Sequence, residues 1–489
     1  MKVKKAAVIF VPPEKGKFPH LGQNRWFHYS SSRASKIHPL LPSLAATLLK
    51  EKGYAVLFLD GINREFSFLD FMKKFSAFAP DAVIMETKTP LIRDHWDFIR
   101  KAKQGRDIRF ILAGDHVSFF PEESLENSPV DYCIKGGDYD IAVLNLLEAL
   151  NGRGKMPPGV WHKKDGKVVN TGEPFLAEDL DSLPFIDREL TGWRIYGEAY
   201  LHRPCAYILS GRGCGGKDGI RGACKFCSWQ HALWNCTARL RSPANVAGEI
   251  EFLRRKYKVR EVFDDNESGG IYDKSWLKDF CGELEKYKLP GKVYISSNAR
   301  ADTLDSATCA LLKKSGFRLL KVGLESANDD TLKRIGKQES FEAIEAGVRR
   351  AKDYGLRVML TMMIGYPWEG EEAVRNSYEA AKKLFLYKSR LGDALQVSLV
   401  VPYPGTPLYR QALENGWFAV DCRDYRNYDM SVPVLKTSVD TGRWGRKIWS
   451  LYRSPRFLSG SFRSMRSFDD LLLVLRGVSS LYRHISEWR

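Results

Sequence analysis

The chain has no hydrophobic run long enough to cross a bilayer. Its most apolar C-terminal stretch, Leu471 to Leu475, falls far short of the roughly 18–20 residues that a membrane-spanning helix needs. The run Ala6–Val11 stops at Pro12-Pro13, too soon for a signal core, and reads better as a first strand. Cysteine is scarce: nine residues, an odd number unevenly spread over 489 positions, which argues against a secreted disulfide scaffold. Repeats of fixed period and low-complexity tracts are missing as well. Acidic residues are outnumbered, 59 against 76 basic, for a formal net charge of +17. Hydrophobic residues make up 44% and charged residues 28%, so the chain buries real cores and is not disordered.

The basic excess sits mainly at the two ends. The first forty residues hold eight Lys/Arg against one Glu, and residues 441–489 hold ten against three. It is not laid out as a stripe along the middle of the chain, which argues against nucleic acid as the partner. It suits an acidic protein partner, an anionic membrane surface or an anionic substrate. The expected location is cytoplasmic, with the inner membrane face as a peripheral contact.

Short β-branched runs alternate with amphipathic stretches in the first part. Strands are expected at Ala6–Val11, Ala55–Asp60, Asp81–Met85, Arg109–Ala113 and Asp131–Ile134, with a helix over Leu40–Glu51. Strands separated by single helices imply right-handed crossovers and a parallel, doubly wound sheet, whose ligand sits beyond the carboxyl ends of the strands. Residues 1–152 form this Rossmann-like unit. Residues 153–199 read as a connector with a small hairpin around Val160-Trp161 and Val168-Val169.

A second rhythm follows, with strands at Tyr207–Ser210, Val259–Phe263, Val293–Ser297, Leu319–Gly323, Val358–Ile364 and Leu395–Val400. Ser242-Pro243 and Ser340 open two of the intervening helices as N-caps. Six such units over 200–414 suggest a partial (β/α)6 barrel, with catalytic groups at the carboxyl ends of its strands. Residues 415–489 lose the strand rhythm and form a basic, aromatic, mainly helical C-terminal region. The fold class is therefore α/β.

Three of the nine cysteines, Cys214, Cys224 and Cys227, fall within fourteen positions directly after the first strand of the second rhythm. A Cys-x-x-Cys turn presents two thiolates, and the preceding loop supplies a third. Three ligands on a 4Fe–4S cluster leave one iron open to an exchangeable molecule. Gly215, Gly216, Gly219 and Gly222 suit a loop folded closely over such a group. A Cys-x-x-Cys also serves as a zinc hook or a redox pair, and Cys236 and His231 are near enough in sequence to complete a zinc site.

The order of motifs resembles the radical S-adenosylmethionine (SAM) superfamily, and within it the members with an N-terminal cobalamin-binding domain. The likeness extends to class B methylases and to the branch of anaerobic Mg-protoporphyrin monomethyl ester cyclase and hopanoid-modifying enzymes. It is carried by Ala113-Gly114-Asp115-His116 and Lys135-Gly136-Gly137-Asp138 in the first unit, then by the connector Asp179-Leu180-Asp181-Ser182-Leu183-Pro184. In the barrel it continues through Phe263-Asp264-Asp265-Asn266, Asn298-Ala299-Arg300-Ala301-Asp302, Val322-Gly323-Leu324-Glu325-Ser326, Ile364-Gly365-Tyr366-Pro367 and Pro402-Tyr403-Pro404-Gly405-Thr406-Pro407. The sequence departs from the pattern twice. The gap between the first two cysteines is nine residues where the family usually has three, and there is no Asp-x-His-x-x-Gly to supply a lower axial histidine to cobalamin.

The resemblance implies a cobalamin-dependent radical SAM enzyme that cleaves SAM reductively and functionalises, by methylation in most relatives, an unactivated carbon of a small molecule, lipid or tetrapyrrole. A non-methylating cyclase or rearrangement enzyme is the alternative. An RNA methylthiotransferase is a weaker one, since only Cys133 and Cys205 precede Cys214 where those enzymes carry a further cluster. On this likeness Cys214, Cys224 and Cys227 hold the cluster and Phe226 lies near adenine. Asp264, Asp265, Arg300, Glu325 and Gly365 border SAM, while Gly114, Asp115, His116, Gly136 and Gly137 border cobalamin. A flavodoxin- or ferredoxin-type protein would supply electrons. Tyr366, Trp368, Tyr403 and Tyr409 line either a substrate cavity or, as aromatics more often do, the core.

Overall fold

A computed structural model describes residues 2–14, 16, 18–21, 27–30, 36–214, 224–268 and 270–487. The first sheet contains β1 (Lys5–Phe10), β2 (Ala55–Asp60), β3 (Ala82–Thr87), β4 (Arg109–Gly114), β5 (Tyr132–Ile134), β6 (Val160–Lys164) and β7 (Lys167–Asn170). Its order is β2-β1-β3-β4-β5-β6-β7. The five strands from β1 to β5 run parallel, while β6 and β7 pair antiparallel. The connector hairpin thus extends the first sheet.

Both faces of this sheet are covered, which explains its continuous apolar strands. Val8, Ile84 and Ile111 pack against the helices Leu40–Glu51 and Tyr139–Leu150. Ala7, Ile9, Val83 and Phe110 pack on the other side, against Phe71 and Phe75 of helix Phe68–Phe78 and Phe98 and Ile99 of helix Ile92–Lys103. Strand order reverses between β1 and β3, the point at which such sheets open a ligand crevice.

The second sheet is β8 (Cys205–Ile208), β9 (Glu261–Asp264), β10 (Tyr294–Ala299), β11 (Phe317–Glu325), β12 (Arg357–Ile364) and β13 (Ala394–Leu399), all parallel and in chain order. Six successive parallel strands with outer helices curl into an open half-barrel. The expected strands are all present, displaced by a residue or two at their ends. Ser242 Oγ accepts from Asn245 N ahead of helix Pro243–Tyr257, and Ser340 Oγ accepts from Ala343 N ahead of helix Phe341–Asp353. Beyond β13 the chain is mainly helical, with helices at Thr441–Trp449, Pro455–Ser464 and Phe468–Glu487. Tyr425 and Tyr428 from the segment before these helices join the core of the first sheet. No described helix is long and apolar enough to cross a membrane.

Candidate active site

The cysteine loop leaves the carboxyl end of β8 and is closed at its base. Gly211-Arg212 pairs antiparallel with Arg239-Leu240, so both ends of the loop sit side by side. Gly213 (φ +91°) completes the turn, and a Cβ there would overlap the Thr237 carbonyl. Its amide donates to Glu267 Oε2 (3.2 Å), whose other oxygen accepts from Trp234 Nε1 (2.8 Å). The loop glycines Gly215, Gly216, Gly219 and Gly222 lie outside the described residues.

Cys224 to Cys227 form a tight turn, with Cys227 N donating to Cys224 O (2.9 Å). The barrel grips that turn at its centre. Lys225 N donates to Ile335 O (2.8 Å), and Lys225 O accepts from Leu408 N (3.0 Å). Cys227 is buried, whereas Cys214 and Cys224 are half-buried. Phe226 packs against the cores of both sheets. Burial pushes the Cys224 thiol up to about 11, opposed by the Lys337 cation nearby. Cys236 Sγ and His231 Nδ1 are 3.9 Å apart, and among the described residues no group of three or more His, Cys, Asp and Glu side chains gathers around a single metal ion. Three thiolates on a cubane each bind a different iron, so they spread further apart than the ligands of one ion.

The strand-end charges divide into two groups. Asp264 is occupied by its neighbours: Oδ1 accepts from Ser210 N (2.9 Å) and Oδ2 from Ser210 Oγ (2.6 Å), and burial raises its carboxyl to about 6. Asp265, the next residue, donates its amide to Ile208 O (2.9 Å) and accepts from Asn298 Nδ2 (3.4 Å). Arg300 and Glu325 instead gather beside Cys224, together with two residues that sequence reasoning did not select, Lys337 and Glu339. Lys337 Nζ lies 3.1 Å from Glu339 Oε2 and 3.9 Å from Glu325 Oε1. Arg300 Nη2 lies 2.8 Å from Asp302 Oδ2 and 3.7 Å from Glu339 Oε2. Burial works against both cations, but the surrounding carboxylates outweigh it and hold them above their ordinary values. Glu325 has φ +59°, and its side chain folds back over Gly323, which has no Cβ to obstruct it. The Tyr366 hydroxyl is fully buried with no hydrogen-bond partner, and Glu339 Oε2 has no hydrogen bond beyond its ion pairs. Gly365 has φ +90° and lies beside Thr441 of the C-terminal helices, in ordinary contact. Tyr366 and Tyr403 are buried, whereas Trp368 and Tyr409 are only partly so.

At the edge of the first sheet, protein fills the approaches that the glycines open. A Cβ on Gly114 would meet Thr87 O at 2.6 Å, one on Gly136 the Ala232 carbonyl at 2.5 Å, and one on Gly137 the Phe175 carbonyl at 2.6 Å. Gly137 N also donates to Leu233 O (2.9 Å). Asp115 Oδ2 stands 3.6 Å from Lys88 Nζ, which lies over the ring of Trp229 (5.3 Å). His116 is fully buried, with Nδ1 3.4 Å from Thr89 Oγ1 and Nε2 3.4 Å from Glu123 Oε2, edge-on to Trp96, Phe120 and Tyr425. The helix Ser228–Ala232, directly after Cys227, therefore lies against this edge. Its Gln230 is buried with neither amide atom bonded.

A buried ion cluster fastens the two sheets together beside the loop. Arg212 Nη1 donates to Asp138 Oδ1 (2.6 Å) and Asp140 Oδ1 (2.9 Å), and Nη2 to Asp140 Oδ2 (2.6 Å). Arg239 donates to both oxygens of Asp138 (2.6 and 3.0 Å). Both guanidinium groups lie 5.7 Å from the Trp234 ring centroid. Burial disfavours charge on Asp138, but the two arginines outweigh it and hold its carboxyl below the ordinary range.

Residues 208–381 match the Radical SAM superfamily, a span that begins at the end of β8 and takes in the cysteine loop and β9 to β12. The chain carries a radical SAM domain. Around that domain the chain is similar to an uncharacterized methyltransferase of Pyrococcus horikoshii, 26% identical over 460 residues, covering 91% of this chain and 93% of the relative. It is also similar to the anaerobic magnesium-protoporphyrin IX monomethyl ester cyclase of Rubrivivax gelatinosus, 26% identical over 424 residues, covering 85% and 73%. Among solved structures, the radical SAM methyltransferase TsrM of Kitasatospora setae, with cobalamin and a [4Fe–4S] cluster bound, superposes with a TM-score of 0.68 over 99% of each chain at 14% identity. That agreement covers the fold of the whole chain, including the α/β unit before the radical SAM domain and the helices after it.

Proposed function

We propose that the protein is a cobalamin-dependent radical SAM enzyme that methylates an unactivated carbon of a small-molecule, lipid or tetrapyrrole substrate. The observation that carries this reading is the Cys214–Cys227 loop at the carboxyl end of β8, gripped by the barrel on one side and the first sheet on the other. On this reading residues 1–152 with the hairpin of 153–199 form the cobalamin side, 200–414 the SAM side, and 415–489 close the barrel.

The residues present fit these groups. Three cysteines on one loop closed at its base are a donor set that suits a 4Fe–4S cluster, and the Lys337 and Arg300 cations oppose the burial that raises the Cys224 thiol. The unpartnered Tyr366 hydroxyl and the Lys337–Glu325–Glu339 group suit a zwitterionic ligand such as the amino-acid end of SAM. The unbonded Gln230 amide suits cobalamin, whose corrin rim carries carboxamides. When bound, the cluster supplies the electron that splits the C5′–S bond of SAM, and cobalamin carries the methyl group.

The chain's own work is then binding, orientation and exclusion of water. Lys337 and Arg300 attract the carboxylate of SAM, and Glu325 its ammonium group. Phe226 and Gly365 shape the adenine side. Asp264 and Asp265 hold the ends of β8 and β9 in register, so they shape this site through the backbone. Asp115 and His116 brace the cobalamin edge, with Gly114, Gly136 and Gly137 permitting its close packing. A flavodoxin- or ferredoxin-type donor and a peripheral contact at the inner membrane face complete the proposed partners of a cytoplasmic enzyme.

Anaerobic reconstitution with iron, sulfide and cobalamin, followed by reduction in the presence of SAM, tests the reading. 5′-Deoxyadenosine and S-adenosylhomocysteine should both form, and Cys224→Ala should abolish both the cluster absorbance and turnover. An iron-replete, reduced protein that leaves SAM intact would refute it. The similarity to a magnesium-protoporphyrin cyclase supports a second reading, oxidative cyclisation, for which S-adenosylhomocysteine would be absent while 5′-deoxyadenosine forms.

A further inference from the structure

The helix Phe468–Glu487 presents its apolar side outward. A surface helix ordinarily buries its apolar stripe and shows water its polar side. Here the inward side carries Asp469, paired with Arg260, Asp470, whose Oδ1 is 3.9 Å from His202 Nε2, and the buried Leu473 and Ser480. The outward side carries Phe468, Leu471, Leu472, Leu475 and Val478, spaced by three and four residues and all exposed. The preceding helix, Pro455–Ser464, adds exposed Leu458 and Phe462, while its Phe457 stacks inward on Phe385 (4.7 Å). Phe462 and Phe468 are 74% and 71% exposed. Seven of the thirteen large apolar side chains exposed among the described residues fall between positions 458 and 478.

Charge selects the occupant. Arg456, Arg463 and Arg466 are exposed around this face, while Asp469 and Asp470 are turned toward the barrel. An apolar stripe fringed by arginine, on helices unable to span, matches the interface of an anionic bilayer. A second copy of the chain would bring the same arginine fringe against this one, with like charges opposed. We propose that the outward face of helices Pro455–Ser464 and Phe468–Glu487 docks on anionic lipid bilayers. This deepens the peripheral membrane contact named above and does not depend on the radical chemistry.

Flotation of the full chain with vesicles tests it. The chain should float with vesicles of phosphatidylglycerol and phosphatidylcholine, less so at high salt, and not with phosphatidylcholine alone. Phe462→Ser, Phe468→Ser and Leu475→Ser should each reduce the vesicle partition coefficient by about tenfold, as expected for removing one large apolar side chain from a lipid interface. These exposed positions should leave the melting temperature and SAM cleavage unchanged. A wild-type chain that stays with neither vesicle overturns both this surface and the membrane contact. Serine variants that float as wild type overturn this surface alone and place the contact elsewhere. Serine variants that convert a dimer to a monomer, without vesicle binding by the wild type, would make the face a protein interface and overturn the proposal.

Discussion

Arg212→Met removes the cation that joins the cysteine loop to the first sheet, and its effect can be worked from the geometry. Arg212 bonds both oxygens of Asp140 and one of Asp138, and all three side chains are almost fully excluded from water. Breaking a buried pair from one side leaves the partner charge uncompensated, at about 3–5 kcal/mol. Arg239 still holds Asp138 but does not bond Asp140, so the loss should fall near the top of that range for helix Tyr139–Leu150. Arg239→Met leaves every carboxylate with a partner and should cost about 1–3 kcal/mol. Asp140→Asn in the Arg212→Met background removes the orphaned charge and should restore part of the loss. Native-state hydrogen exchange, followed by mass spectrometry over residues 136–150 and 205–240, reads these local opening energies without requiring two-state unfolding. An Arg212→Met effect under about 1 kcal/mol, the range of an exposed pair, would refute the argument.

Two further predictions concern the strand ends. Burial raises Asp264 to about 6, above the ordinary value of 3.8 that it has in the unfolded chain. The unfolded chain therefore gives up this proton first, and the group opposes folding by about 3 kcal/mol above pH 6, a cost that disappears as pH falls toward 4. The difference in stability between wild type and Asp264→Asn should change by that amount across this window in urea titrations, and a flat difference would contradict it. Tyr366→Phe removes a fully buried hydroxyl that has no hydrogen-bond partner, so stability should rise by about 1–3 kcal/mol. SAM binding to the reconstituted protein should weaken about three- to tenfold by calorimetry, the worth of one hydrogen bond, and unchanged affinity would remove Tyr366 from the site.

What the sequence made legible was local. The strands of both sheets and the caps at Ser242 and Ser340 follow from β-branched runs and from residues within three positions of one another, so periodicity alone places them. The three cysteines declare themselves by spacing. The ion cluster did not, because Arg212 meets Asp138 and Asp140 across more than seventy residues, and no short motif joins a strand-end arginine to a helix-start aspartate. Lys337 and Glu339 sit on a loop between two helices, where alternating charges ordinarily face water. Asp264 looked like a ligand group at a strand end, yet Ser210 on the neighbouring strand's exit takes both its oxygens. The outward stripe of Phe468–Glu487 was hidden for the opposite reason: an apolar periodicity reports that one face is apolar and not which way that face points.

The ribbon at the base of the cysteine loop also bears on how the protein is assembled. Arg212 and Arg239 bind the same Asp138, so the two ends of the intervening segment are tied to one carboxylate. Closing a loop loses chain entropy, and the bonds to Asp138 offset part of that loss. Synthesis runs from the amino terminus, so Asp138 is made ahead of the arginines it receives. The first sheet thus acts as a template on which the loop is set to length. A barrel fragment without Asp138 would keep only the two-residue ribbon to hold the ends of the loop together.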